Sequence, residues 1–198
     1  MNKQISLRTL QPNDEEALYL LVKENQAQFI QWLDWAAMIQ NHADFTQFFH
    51  YYQSQMKEHL MEVQVICYQE QVIGIVEAHE IDYSLQSAYL SYWLDRNFQQ
   101  KGIMSKAISD FLTYLYSSRS LKHFFLVINC QNTRSIRLAQ KLGFHLEGYA
   151  SEFQFEGKRP ITRYIENLQS HSTLEILFFI YNLLAQFLTM ANKLLELL

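Results

Sequence analysis

The 198-residue sequence contains little glycine and proline, with five Gly and two Pro in all. This composition excludes collagen-like and low-complexity sequences, and it leaves few residues that interrupt helices and strands. Apolar residues make up 49% of the chain and aromatic residues 15%, which is enough for a hydrophobic core. We therefore expect one folded domain plus a modest extra element, with short connections throughout.

The sequence also lacks the features of disulfide-rich, metal-binding and secreted proteins. Its two cysteines, Cys67 and Cys130, lie in apolar runs, which is typical of reduced thiols in the cytosol. The seven histidines do not have the His-x-x-x-His spacing of a metal site, and no Cys-x-x-Cys occurs, so we predict no metal. The first residues lack the apolar run of a signal peptide, so we expect a cytoplasmic protein.

Positive charge is not in excess, because 16 Lys and Arg face 20 Asp and Glu, for a formal net charge of −4. Affinity for nucleic acids comes mainly from basic groups that contact phosphates, so we expect no direct nucleic-acid partner. Any site for an anionic cofactor must be a local feature of the surface.

Hydrophobic periodicity predicts an α+β (mixed α/β) fold. A strand and a helix come first, and one or two further helices follow. Three strands then form an antiparallel meander, with a turn at Glu70 and Gln71 between the first two. The rest alternates helix, strand and helix before two final strands. The sequence thus predicts a central mixed, largely antiparallel sheet of about seven strands flanked by helices. The predicted segments are 5–10, 12–22, 26–60, 63–94, 103–115, 123–129, 132–142, 145–155 and 161–168.

The segment 92–104 is the most informative, because a strand enters a polar loop that leads directly into a helix. The first N–H groups of a helix are unpaired and carry the positive end of its dipole, which suits a pyrophosphate. Gly102 would allow close approach of a ligand, and Lys101 and Lys106 would add positive charge. The alternative is that Gly102 only forms a turn.

Three motifs resemble those of a known superfamily. Gln99-x-x-Gly102-x-Met104 resembles the coenzyme A signature Arg/Gln-x-x-Gly-x-Gly/Ala of the GCN5-related N-acetyltransferases (GNAT), with Met104 as its last residue. Segments 129–135 and 142–148 resemble the Asn-x-x-Ser helix start and the Leu-Gly-Phe-x-x-Glu-Gly strand start of the RimJ/RimL-type ribosomal-protein N-acetyltransferases. The resemblance covers residues 3–168, although the usual acidic residue near Ile161 is missing.

This resemblance implies the GNAT fold and acetyl-CoA as the acetyl donor. The coenzyme would lie where two parallel strands diverge, and its acetyl group would pass directly to an amine, in the first place the N-terminal α-amino group of a ribosomal protein. Asn132 would orient the pantetheine. The other implied cofactor-binding residues are the end of a strand and the loop that follows it: Trp93, Leu94, Gln99, Gln100, Lys101, Gly102, Ile103 and Met104.

The resemblance also implies a base and an acid. Glu62, at the start of the strand 63–68, would deprotonate the amine, and Ser135 would protonate the leaving thiolate. The alternatives are that Glu62 is an ordinary solvated residue and that Ser135 and Asn132 only satisfy the N–H groups of a helix start.

Other residues are alternatives for these roles. Glu77, His79 and Glu80 lie on one predicted strand and are alternative bases, and Glu77 and His79 share a face that is either catalytic or simply solvated. Tyr149 is a second candidate acid. Aromatic residues from the first helices line either the acceptor site or the core: Trp32, Trp35, Phe45, Phe48, Tyr51 and Tyr52.

The acceptor cannot be read from these motifs, because loops and early helices determine it. A polyamine or an aminoglycoside is the rival acceptor. A non-catalytic acyl-CoA-binding or assembly protein is the rival from another class.

Residues 170–198 lie outside the resemblance and form a second predicted unit beside an acetyltransferase domain of residues 1–169. A capping box, Ser172-x-x-Glu175, precedes a nearly apolar helix with a single polar stripe. The alternatives are a dimerising or domain-capping helix, a helix in a membrane surface and a marginal membrane span. We favour the dimerising or domain-capping helix, with a homodimer as one possible result, because the polar stripe repeats regularly and no Lys/Arg-rich face is present.

Overall fold

Four α-helices and seven strands occur in residues 5–150 and 161–167, the part of the chain that the computed structural model describes. Three single-turn 3₁₀ helices connect them at Pro12–Asp14, Asp34–Ala37 and Arg96–Phe98. The elements are, in chain order, β1 Ile5–Thr9, α1 Glu15–Phe29, α2 His42–Lys57, β2 Glu62–Tyr68, β3 Gln71–Asp82, β4 Ser87–Leu94, α3 Ile103–Arg119, β5 His123–Asn129, α4 Thr133–Lys141, β6 His145–Ala150 and β7 Ile161–Asn167.

The strands form a mixed sheet in the order β1-β2-β3-β4-β5-β7-β6. Strands β1 to β4 pair antiparallel with their neighbours, as do β6 and β7, whereas β4 and β5 run parallel. The prediction of a mixed α/β fold with a largely antiparallel sheet is thus confirmed. A parallel pair needs a crossover connection, and α3 provides it between β4 and β5.

The two faces of the sheet are covered by different helices, because side chains alternate along each strand. Val63, Val65 and Ile75 face α1 and α2 in one hydrophobic cluster. Ile66 and Val76 belong to a second cluster, which contains α3 and part of α4. The central strands are therefore buried on both sides, and the cluster with α1 and α2 is separated from the cluster with α3 by the sheet.

The turn between β2 and β3 lies one residue earlier than the sequence predicted. We predicted a turn at Glu70 and Gln71, but Gln71 already pairs with Tyr68 at the start of β3. The turn residues are Gln69 and Glu70, with φ of 48° and 71°. Two residues of positive φ give a tight turn that matches the twist of an antiparallel hairpin.

Strands β4 and β5 separate after a short paired stretch. Three residue pairs hold them together, from Ser87 opposite His123 to Tyr89 opposite Phe125. Beyond these pairs, Leu90 and Leu126 both line an open cleft. The divergence that the resemblance implied is therefore present, and it opens a concave site between the two strands.

Close contact with β3 supports the carboxyl end of β4. A Cβ atom added to Gly74 would lie 2.3 Å from the carbonyl oxygen of Trp93. Only glycine allows such an approach of two backbones. The end of β4 that borders the cleft is thus supported from behind by β3.

Some sequence predictions fall on residues outside the described ranges. These are the apolar helix within 170–198 and the continuation of the predicted strand 145–155 past Ala150. In residues 5–150 and 161–167, no helix combines the length and apolarity needed to cross a membrane.

Candidate active site

A cleft of about 840 Å³ opens where β4 and β5 diverge. Four segments line it: the last residues of α1 and the turn after them (between 28 and 33), residues 90–94 of β4, the loop before α3 with its first turn, and the end of β5 with α4. It therefore lies beside the carboxyl end of a strand and the start of a helix, where α/β sheets commonly bind ligands.

The loop that leads into α3 leaves the start of this helix open. Asp95 accepts a hydrogen bond from the N–H of Asn97 at 3.2 Å, and Gln99 Nε2 donates to the carbonyl oxygen of Leu94 at 3.0 Å. Gly102 is the N-cap of α3 with φ of 77°, and an added Cβ there would meet no atom within 4 Å. The space beside Gly102 is empty, so an anion has room to reach the first N–H groups of α3.

The two lysines near this loop are engaged with other groups. The Lys101 ammonium donates to the carbonyl oxygen of Asn97 at 2.7 Å and lies over the ring of Phe98. Lys106 forms an ion pair with Asp110 at 2.6 Å. Neither side chain lines the cleft. Lys106 is thus paired with an acidic group, whereas Lys101 has only neutral partners, so its charge near the loop stays a prediction.

Asn132 and Ser135 lie together on the opposite wall of the cleft, at the start of α4. The side-chain oxygen of Asn132 accepts a hydrogen bond from the N–H of Ser135 at 3.2 Å, so Asn132 is the helix cap that the sequence suggested. The Tyr92 side chain is next to Ser135. Burial raises the pKa of Tyr92 to about 12, and the interaction with the Ser135 side chain opposes this rise. Tyr92 therefore keeps its proton at neutral pH.

Three cations are the charged side chains of the cleft lining, as far as the structure describes it. They are Arg134, Arg137 and Lys141, all on α4, and no Asp or Glu is among the described lining residues. Arg134 Nη1 also donates to Gln99 Oε1 at 3.4 Å and so links α4 to the loop before α3. The charge of the cleft is positive although the whole chain is acidic.

Glu62 begins β2 as expected, but its carboxylate faces α3. It accepts hydrogen bonds from the Tyr114 hydroxyl at 3.0 Å and from Arg119, with which it forms an ion pair. Glu62 is 6% exposed and is not among the residues that line the cleft. The alternative of a solvated Glu62 is therefore wrong, and the structure does not bring this residue together with Ser135.

The alternative bases lie on the other face of the sheet, where Glu77 and His79 point toward α1 and α2. Glu77 is buried and hydrogen-bonds to Tyr52. Burial raises the pKa of Glu77, although Tyr52 and His79 oppose the rise. The shared face is thus not simply solvated. His79 Nε2 lies 3.1 Å from Ser91 Oγ, and Ser91 lines the cleft.

Sequence reasoning missed Ser91 as a cleft residue. It placed Tyr92 in the informative segment 92–104 but did not predict its contact with Ser135. Ser91 lies just before that segment. The usable signal was the predicted meander, which makes β3 and β4 neighbours and places Ser91 opposite Glu77.

The aromatic residues of the first helices are mostly core. Trp35, Phe45, Phe48 and Tyr52 belong to or pack on the cluster between α1, α2 and the sheet, whereas Tyr51 is exposed. Trp32 lines the cleft. Two further aromatic residues that line the cleft, Phe29 and Trp93, pack with ring centroids 5.1 Å apart.

Neither Cys67 nor Cys130 is in a disulfide. Within residues 5–150 and 161–167, no group of three or more His, Cys, Asp or Glu side chains is placed to hold a metal ion. The predicted acid Tyr149 has a side chain outside the described part of the chain.

Comparison with known proteins agrees with this geometry. The family described as acetyltransferase (GNAT) domain matches residues 4–145. The chain therefore belongs to the GNAT family of acetyltransferases.

Curated relatives include enzymes that act on different amines. The ribosomal-protein-serine acetyltransferase of Escherichia coli is 24% identical over 155 residues, which are 78% of this chain and 87% of that protein. A spermidine N(1)-acetyltransferase of Vibrio cholerae is 29% identical over 103 residues, 52% of this chain and 60% of that protein.

Solved structures show the same fold. A RimL ribosomal L7/L12 α-N-protein acetyltransferase in complex with coenzyme A superposes with a TM-score of 0.79 at 24% identity, covering 84% of this chain and 95% of that one. The microcin C7 self-immunity acetyltransferase MccE, in complex with acetyl-CoA and AMP, superposes with a TM-score of 0.77 at 28% identity, covering 84% and 93%.

Proposed function

We propose that this acetyltransferase transfers the acetyl group of acetyl-CoA to the N-terminal α-amino group of a protein, with ribosomal proteins as the first candidates. The observation that carries the proposal is the cleft between β4 and β5, which has an open helix start at one end and no carboxylate in its described lining. Several relatives are named as ribosomal-protein acetyltransferases.

In this proposal the coenzyme follows β4 and ends at the start of α3. The pyrophosphate accepts hydrogen bonds from the N–H groups of the loop and first turn, from Gln100 through Lys101 and Gly102 to Ile103 and Met104. The pantetheine pairs with the unpaired edge of β4 at Trp93 and Leu94, and Asn132 orients it. Arg134 and its neighbours on α4 add positive charge for the phosphates.

The two groups that exchange protons in this reaction have pKa values close to neutral pH. An α-amino group titrates with a pKa of about 8 and a thiol with a pKa of about 8.5, so neither needs an extreme catalyst at neutral pH. The amine attacks the thioester carbonyl, a backbone N–H stabilises the oxyanion, and the sulfur leaves as a thiolate that takes a proton.

Ser135 is the proposed proton donor to this thiolate. It lies on the cleft wall with its N–H held by Asn132 and its hydroxyl beside Tyr92. We expect Ser135→Ala to lower kcat about 100-fold with the Kd for acetyl-CoA nearly unchanged. Thr133→Ala, on the same helix turn, is the control. A raised Kd for acetyl-CoA with kcat unchanged would assign Ser135 to binding alone.

Glu62 is the base that the resemblance implies. This role requires its carboxylate to leave Tyr114 and Arg119, because these partners now hold it on the α3 face of the sheet. His79 needs no such change, since it already contacts a cleft residue.

The acceptor proposal rests on charge. Polyamines and aminoglycosides carry several positive charges and need carboxylates for their recognition, whereas the described cleft lining has Arg134, Arg137 and Lys141 and no Asp or Glu. An N-terminal α-amino group brings a single positive charge. Its neighbouring side chains can be neutral or acidic.

The test is thiol release from acetyl-CoA with a panel of acceptors. We expect N-terminal peptides of ribosomal proteins to give acceptor-dependent release, with spermidine and an aminoglycoside at least tenfold slower in kcat/KM. Peptides with a blocked N-terminus but a free lysine are the matched control. Faster turnover of spermidine would favour the small-amine function, and coenzyme binding without release for any amine would favour a non-catalytic acyl-CoA-binding protein.

For residues 170–198 we propose a separate role as a contact between two copies of the chain in the cytoplasm. The support is the regular polar stripe on an otherwise apolar predicted helix. Light scattering of the full chain and of a chain truncated after residue 169 tests it. A dimer that becomes a monomer supports this role, whereas liposome binding that is lost on truncation would indicate a membrane-surface helix.

A further inference from the structure

Ser91 on β4 has no assigned role, and it lines the wall of the cleft that faces α1. Its partner is His79 on β3, one of the alternative bases. Ser91 lies two positions before Trp93, so both share the face of β4 that packs toward Phe29 of α1. Tyr92 points the other way, to Ser135 and α4. The proposed proton donor and the Ser91–His79 pair thus lie on opposite faces of the strand that would hold the pantetheine.

The hydrogen bond of this pair connects the cleft to solvent. His79 Nε2 and Ser91 Oγ are 3.1 Å apart, and the His79 side chain is 27% exposed. On its other side, His79 Nδ1 lies 3.7 Å from the carboxylate of Glu80, which is itself largely exposed. The contacts therefore form a continuous path from the cleft to the protein surface, through Ser91, His79 and Glu80.

We propose that Ser91 and His79 carry the proton of the acceptor ammonium out of the cleft. This inference rests on the proposed transfer of acetyl to an amine. It assigns Ser91 as the group that contacts the acceptor and His79, in place of Glu62, as the base behind it.

The proton balance is as follows. The acceptor ammonium gives its proton to Ser91 Oγ while Ser91 gives its own hydroxyl proton to Nε2 of neutral His79. The amine keeps the electron pair of the broken N–H bond and uses it to attack the thioester carbonyl. His79, now an imidazolium with protons on both nitrogens, releases the Nδ1 proton toward Glu80 and solvent. Ser91 ends as it began, so no oxidant or further reactant is needed.

The groups around His79 suit a cationic intermediate. Glu77 and Glu80 flank it on its own strand. Across the pair of strands, the Tyr89 ring stacks on the imidazole at 5.9 Å, and Tyr52 of α2 hydrogen-bonds Glu77. The charged groups near the imidazole are therefore carboxylates, which suit a transient positive charge in the relay.

The experiment compares His79→Gln and Ser91→Ala with the wild-type chain. Glutamine keeps a hydrogen bond to Ser91 but cannot take a proton at neutral pH. His50→Ala, on the exposed side of α2, is the control. The readout is kcat/KM at pH 7 for an N-terminal peptide and for a small primary amine with a pKa of about 6, which is already mostly deprotonated.

We expect both variants to lose about 100-fold in kcat/KM with the peptide and less than about threefold with the weakly basic amine. The loss with the peptide should shrink as the pH rises from 7 to 9, because the free amine becomes the major species. Equal losses with both amines, or wild-type rates in His79→Gln, would overturn the relay and leave the acetyltransferase function intact. A wild-type chain that acetylates neither amine would overturn the proposed function and the relay together.

Discussion

Glu62 and Glu77 are both buried carboxylates, and their neighbours offset the cost of burial to different extents. Glu62 has a cation, Arg119, and a hydroxyl, Tyr114, within bonding distance. Glu77 has a hydrogen bond from Tyr52, and its Oε2 atom has no hydrogen-bond partner. The first carboxylate is stabilised by opposite charge, whereas the second is destabilised by burial.

We expect Glu62→Gln to lower the free energy of unfolding by about 1–3 kcal/mol, because a charged hydrogen bond to Arg119 is lost. Tyr114→Phe, which removes only the second bond to the same carboxylate, should cost about 1 kcal/mol or less. Urea unfolding measures both. If Glu62 is also the base, turnover of folded Glu62→Gln falls while its Kd for acetyl-CoA stays near normal. Full turnover would leave Glu62 with the structural role alone.

Glu77→Gln is expected to stabilise the fold at neutral pH. The folded-state pKa of Glu77 is raised by burial, so the folded chain holds this proton more tightly than the unfolded chain does. Wild-type stability is therefore lost as the pH rises from the unfolded value of about 4.3 through the folded value. The glutamine side chain of the variant has no charge to desolvate and can still accept a hydrogen bond from Tyr52.

Melting temperatures of wild type and Glu77→Gln at pH 4 and pH 7.5 check this expectation. The variant should melt higher than wild type at pH 7.5, and the difference should be smaller at pH 4. A difference in Tm that is the same at both pH values would show that packing, and not the charge of Glu77, sets the effect.

At the scale of elements, α3 and α4 begin in different ways and so offer different chemistry to the cleft. Helix α3 begins at Gly102 in a left-handed conformation with no side-chain cap, which leaves its first N–H groups available. Helix α4 begins at Asn132, whose side chain already occupies the N–H of Ser135. An anion is therefore expected at α3, whereas α4 contributes side chains.

Gly102→Val should weaken acetyl-CoA binding at least about tenfold, because a branched side chain at the N-cap would cover the first N–H groups of α3. Gly102→Ala is the matched control. Both variants carry the cost of a left-handed non-glycine residue, about 1–2 kcal/mol, but alanine covers far less of the helix start. Calorimetric titration of the folded variants measures the affinities. Equal affinities for valine and wild type would refute the assignment of this loop to phosphate.

At the scale of the whole molecule, the charge of the cleft opposes the charge of the chain. The net charge is −4, yet the charged side chains among the described cleft residues are Arg134, Arg137 and Lys141. A surface of mixed sign with one local positive cleft attracts an anionic coenzyme to that cleft.

We expect Arg137→Glu to raise the Kd for acetyl-CoA roughly tenfold at 50 mM salt and by a smaller factor at 500 mM, because salt screens charges at a protein surface. Lys23→Glu on the exposed side of α1 changes the net charge by the same amount and should leave the Kd within about twofold. Titrations at both salt concentrations distinguish the two. Equal effects of the two variants would mean that net charge, and not the cleft, controls affinity.

Local sequence signals were sufficient for most of the elements. The strand at 123–129, the helix start at Asn132 and the helix that follows Gly102 all match their predictions, because periodicity and capping depend on residues a few positions apart. The turn before Gln71 was misplaced by one residue, since polar residues on both sides of it are equally compatible with a turn.

The sequence by itself determined the alternation of helices and strands. Its motifs, including the one at Gln99–Met104, were also enough to indicate the GNAT family. Only the tertiary structure decided what those side chains contact. Glu62 meets Tyr114 and Arg119 across 52 and 57 positions of the chain, and His79 meets Ser91 across a strand pair. The physical reason is that these contacts depend on sheet register and helix placement, which result from packing over the whole domain and leave no periodic trace in the chain.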